Sequence, residues 1–86
     1  MNVMRDRNVK LRVIYILRLL SENFEKWWTV KELARQVHIE LLFIQEPDRK
    51  TIYSDIRAIM EAGIQLEFKH TRHNLMHFRL AGSIIY

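Results

Sequence analysis

The spacing of apolar residues changes at Gly63, and that change constrains the fold more than any other feature of the chain. Before it, in DRKTIYSDIRAIMEAG (48–63), Ile52, Ile56, Ile59 and Met60 fall on one side at the ~100° per residue of a helix. After it, Ile64, Leu66 and Phe68 alternate with Gln65, Glu67 and Lys69, the period of a strand. Met76, Phe78 and Leu80 then alternate with His77 and Arg79, beyond a polar tip of Thr71, Arg72, His73 and Asn74. Two alternating runs around such a tip predict a β-hairpin over 64–80, its apolar set facing the helices.

The helix before Gly63 is bounded by its own residues. Asp48 is placed to accept from the first free backbone N–H groups as an N-cap, and Pro47 precedes it where no helical N–H is needed. Gly63 suits the left-handed position that ends a helix, so the helix is expected over 49–62. Lys50, Ser54, Arg57 and Glu61 lie opposite the apolar stripe, with Thr51 nearby, and Tyr53 and Asp55 flank it. Arg49 stands at the open N-terminal end. This face is polar and mainly basic near its start, as in helices that read the DNA major groove, and also as in any amphipathic helix with a solvated charged side.

Upstream, a first helix is expected over 8–23, capped by Asp6 or Asn8. Val13, Ile14, Leu17, Leu20 and Phe24 recur at helical spacing, Ile16 and Leu19 widen the stripe, and Lys10, Arg12 and Arg18 mark the wet side. So wide a stripe predicts cover on two sides, by a partner subunit or by the apolar tail Ile84, Ile85 and Tyr86. A short extended piece follows over 27–29. Thr29 and Glu32 form a capping box that opens a second helix, with Trp28 and Leu33 placed as a hydrophobic staple and Val30, Leu33, Ala34 and Val37 buried. The apolar run 38–46 is read as two further turns of this helix, to about residue 44 with Pro47 as the stop; a packed loop is the alternative. Trp28 is explained by the staple; an exposed Trp27 suggests a protein interface.

Composition removes several classes of function. At 86 residues, 49% of them hydrophobic, the chain is one domain with an ample core. It has no cysteine, which excludes disulfides and thiolate zinc sites and suits a reducing cytosol. Its N-terminus lacks the apolar region of a signal peptide, and its longest apolar stretches, 13–20 and 39–44, are too short to span a bilayer. With two glycines it has no phosphate-cradling loop, and its carboxylates are scattered, so enzymatic activity is not expected. His70 shares strand parity with Met76, whereas His77 shares it with Lys69, so these histidines should not converge on a metal. His38 is taken as structural, and no cofactor is expected. The net charge of +4 and pI of about 9.8 favour a polyanion, of which nucleic acid is the commonest.

This order of elements, carried by LRVIYILRLL (11–20), TVKELARQV (29–37) and RKTIYSDIRAIMEAGIQLE (49–67), resembles a winged helix-turn-helix domain. The similarity is to the N-terminal DNA-binding module of DeoR-like and WYL-type bacterial transcription regulators, and it covers about residues 9–80. The third stretch is the specific one, matching R-x-T-I-Y-x-D-I in that class. The resemblance implies an α+β fold: three helices, a short strand after the first, and a C-terminal hairpin wing. It implies that Arg49, Lys50, Thr51, Tyr53 and Ser54 face DNA and that Arg72, His73 and Asn74 form the wing tip near backbone or minor groove. It makes Asp55 structural, paired with a basic residue of the second helix such as Arg35. The chain departs from the class in the long connection 38–47 and in having no effector domain after the wing. It is then either the module of a larger regulator or a small free-standing one.

In that reading Arg49 or Lys50 donates to guanine, Thr51 or Ser54 contacts several base edges, and Arg57 touches backbone. Tyr53 either contacts phosphate or caps the apolar face. A homodimer on double-stranded DNA is expected, because one domain this small binds weakly. The rival expectation is a winged-helix protein-interaction or oligomerisation module, motivated by the apolar surplus at the first helix, 39–44 and 84–86.

Overall fold

The computed structural model describes the backbone of residues 3–42, 45–71 and 75–81, and within these the side chains from residue 8 onward. The elements are α1 (Val3–Glu22), β1 (Trp28–Thr29), α2 (Val30–Leu41), α3 (Arg49–Glu61), β2 (Leu66–His70) and β3 (Met76–Leu80). The fold is α+β with a winged-helix-like layout, its antiparallel sheet ordered β1-β3-β2. No helix among the described residues is long and apolar enough to cross a membrane.

The local signals that bound α2 and α3 act as expected. The Thr29 hydroxyl accepts from the Glu32 amide at 3.1 Å, and the Glu32 carboxylate accepts from the Thr29 amide at 3.0 Å. Removing that hydroxyl should cost about 1 kcal/mol, measurable for Thr29→Ala by urea titration. Asp48 accepts from the Thr51 amide at 2.8 Å. Hydrogen bonding from Thr51 is the main cause holding the Asp48 carboxyl below its ordinary range. At the other end Gly63 adopts φ +93°, with Gly63 N–H donating to Met60 and Ile64 N–H to Ile59. That pair of bonds is a Schellman motif, which turns the chain directly into the hairpin.

Helix α1 begins at Val3, not near residue 8, and Asn8 lies inside it rather than capping it. Nothing in 3–8 is Gly or Pro, so the helical hydrogen bonds continue through. Its buried side is also rotated from the expected stripe. Ile16 and Leu20 are fully buried, while Ile14 is 65% exposed and Phe24 lies outside the core. The rotation brings Arg12 inward, for a reason that lies on α3.

Helix α2 ends at Leu41, three residues short of expectation, with Leu42 in the left-handed region at φ 54° and 85% exposed. The described part of the connection is irregular and largely exposed, with Leu42, Gln45 and Glu46 in solvent and Pro47 half-buried, so it is neither the helix extension nor a packed loop there; Phe43 and Ile44 lie outside the described residues. Pro47 lines the same groove as Val30 and Ala34, so the chain turns back toward the start of α2 after the helix ends.

The hairpin pairs Leu66 with Leu80, Phe68 with Phe78 and His70 with Met76. Trp28 of β1 pairs with Phe78 on the other side, so β3 is the central strand. Trp28, Phe78 and Leu80 are buried against the helices, whereas Phe68 and His70 are exposed, so the sheet leaves the helical layer toward its tip. Trp27 is half-buried on the outer face, with Lys69 Nζ 4.5 Å and the Arg79 guanidinium 4.2 Å from its ring centre. The indole therefore ties the chain just before β1 to β2 and β3 by cation–π contacts, and Trp27 is half-buried rather than exposed.

Candidate nucleic-acid interface

The outer side of α3 carries Lys50, Ser54 and Arg57, all exposed, in one stripe opposite the buried Ile52, Ile56 and Ile59. Thr51 is half-buried at the edge of this stripe. Arg49, whose direction is open in the sequence, turns to one side and lines a groove of about 380 Å³. Three element starts meet there: Thr29 and Lys31 at the start of α2, Asp48 and Arg49 at the start of α3, and Met76 at the start of β3. Tyr53, 38% exposed, lines the same groove. Its ring meets Phe78 edge-on at 5.9 Å, so it caps the core while keeping an exposed part on the groove.

Electrostatics follow from this arrangement. The positive ends of two helix dipoles converge, and Lys31 and Arg49 add cations at the rim, partly balanced by Glu46 and Asp48. A polyanion laid along α3 meets Lys50 and Arg57 on the outer stripe and Lys31 and Arg49 at the groove. Sequence reasoning missed Lys31. Its signal was available, since it stands just after the Thr29 cap at the end of a helix start. The wing-tip residues Arg72, His73 and Asn74 lie outside the described residues.

Asp55 stands behind this surface. It is on the buried side of α3 at 3% exposure, and its partner is Arg12 of α1, not Arg35 of α2, which is exposed. Arg12 Nη2 donates to Asp55 Oδ1 at 3.0 Å and Arg12 Nε donates to Oδ2, a two-pronged pair. Arg12, placed on the wet side by its charge, is only 12% exposed. The carboxylate supplies what a buried guanidinium requires, and this turns the face of α1.

On the wing, Arg79 donates to Glu67 at 3.1 Å across the strands, and His77 Nδ1 lies 3.2 Å from the Leu75 carbonyl. The register sets His77 opposite Lys69 and His70 opposite Met76, on different faces. Among the described residues no three histidine or carboxylate side chains gather at one point.

Comparison with known protein families, with curated proteins and with solved structures returns no match to this chain. The functional reading therefore stands on this surface and on the motif residues.

Proposed function

We propose that the chain is a sequence-specific binder of double-stranded DNA, a cytoplasmic transcription regulator of the winged helix-turn-helix kind that resembles DeoR-like and WYL-type modules. One observation carries this reading: the start of α3 presents Arg49, Lys50, Tyr53 and Ser54 to solvent, beside the start of α2 and the base of the wing. A helix start so exposed fits the major groove, where Arg49 and Lys50 can donate to guanine O6 and N7. Lys31 and Arg57 contact phosphates, which gives affinity with a steep salt dependence and no sequence information. The hairpin lies along the flanking backbone or minor groove. Two copies acting on a two-fold site supply the affinity that one small domain lacks.

Selection from a random duplex library tests this. Wild type should enrich one motif, two-fold if the protein acts as a dimer. An Arg49→Ala/Lys50→Ala variant, folded by circular dichroism, should lose it and bind the selected site at least about 30-fold more weakly. If wild type enriches nothing, the reading fails.

A second reading, a protein-interaction or oligomerisation module, is favoured by the exposed apolar side chains Ile14, Phe24, Ile39 and Leu42. It predicts that Arg49→Ala/Lys50→Ala changes nothing, while polar substitution at Ile14 or Leu42 abolishes association.

A further inference from the structure

The Arg12–Asp55 pair is the one charged link between α1 and α3 among the described residues, and it ties α1 to the helix that carries the candidate interface. From this geometry we infer that Arg12 is a positioning residue: through Asp55 it fixes the rotation of α3 about its own axis, and with it the sequence discrimination of Lys50 and Ser54. The inference rests on the DNA-binding reading of α3.

Apolar packing alone leaves that rotation loosely set. Ile52, Ile56 and Ile59 are buried on one side of α3, but apolar burial is non-directional and makes no contact with a single preferred rotation about the helix axis. A 20° rotation moves a side-chain tip at ~6 Å from the helix axis by about 2 Å, most of a hydrogen-bond length. Base reading by paired donors does not survive that displacement, since such sites must be held to about 0.5 Å. A planar guanidinium with both prongs on one carboxylate has a single good geometry. Asp55 follows Ser54 directly and lies one turn beyond Thr51, so its anchorage is passed to the reading face through rigid helix.

The test replaces both partners, Arg12→Met with Asp55→Leu, so that no unpaired charge is left inside. Two quantities are measured in wild type and variant: the α1–α3 orientation in the free protein by residual dipolar couplings, and the ratio of affinities for the selected site and for random duplex. The variant should keep its unfolding midpoint and its random-duplex affinity. Its α3 should rotate by more than about 10°, and its affinity ratio should fall about tenfold, the worth of one good base contact. An unchanged orientation overturns the inference, whether or not the ratio falls, and so does an unchanged ratio in a rotated helix. If wild type itself shows no preference for any site, the DNA-binding reading fails and the discrimination role of Arg12 fails with it, and a rotated α3 in the variant then supports only the hold of Arg12 on the helix. Arg12→Lys, which keeps the charge but loses the planar fork, guards against a double variant that does not fold. It should shift both quantities in the same direction by less, and no shift in either overturns the inference.

Discussion

Asp55→Ala is expected to destabilise the protein by about 3–5 kcal/mol, a large part of the ~4–13 kcal/mol typical for a chain of this length. The cost does not come from losing a strong attraction. Taking two charges out of water roughly cancels what their mutual attraction returns. It comes from what remains: the Arg12 guanidinium, 12% exposed, without the carboxylate that satisfied both its prongs. The double variant Arg12→Met/Asp55→Leu leaves no such charge and should lie within about 1.5 kcal/mol of wild type, so the two substitutions should be far from additive. Guanidinium titrations of wild type, the two single variants and the double variant check this directly. A loss below about 1 kcal/mol for Asp55→Ala would mean that Arg12 reaches water, and that the pair behaves as a surface contact.

Phe78→Ala should cost a similar amount, about 3–5 kcal/mol, for a different reason. Phe78 sits at the middle of the central strand, fully buried, with Trp28 opposite it on β1 and Phe68 opposite it on β2. Its ring takes Phe68 edge-on at 5.4 Å and Tyr53 edge-on at 5.9 Å. Truncation therefore opens a cavity where sheet and α3 meet, and removes two aromatic contacts worth about 0.5–1.5 kcal/mol each beyond their buried area. Because Trp28 is the cross-strand neighbour, its fluorescence should shift to the red as β1 loosens. Thermal unfolding read by tryptophan emission measures both effects. A loss under about 1.5 kcal/mol with unshifted emission would show that the site closes over the gap.

The parts of the fold legible in the sequence are those whose cause lies within a turn or two of chain. Thr29 and Glu32 are three residues apart, and their mutual capping needs nothing from elsewhere. The same holds for Asp48 with Thr51, for Gly63 at the end of α3, and for the alternation that makes β2 and β3. Of the candidate interface, the exposure of Lys50, Ser54 and Arg57 follows from helical phase alone, because Ile52, Ile56 and Ile59 take the opposite side.

Phase misleads on α1 because hydropathy scores Arg12 as a surface residue. The partner that makes it an interior one is 43 positions away. Arg35 looked the nearer match for Asp55 in a helix-turn-helix unit, and only the packing of α1 across α3 brings Arg12 there first. The extent of α2 also misleads: 38–44 is apolar enough for a helix, yet the helix ends at Leu41, Leu42 turns left-handed, and Pro47 comes back to the groove at the start of α2.

By itself the sequence determined the element types, the caps that start α2 and α3, the hairpin, and the polar face of α3, since each is decided by neighbours along the chain. Tertiary structure decided that β1 joins β3, that Leu42 turns left-handed, that Trp27 lies under Lys69 and Arg79, and that Arg12 faces inward. These are outcomes of closing one small core, where a residue's place is set by a partner far away in sequence and no local pattern records it.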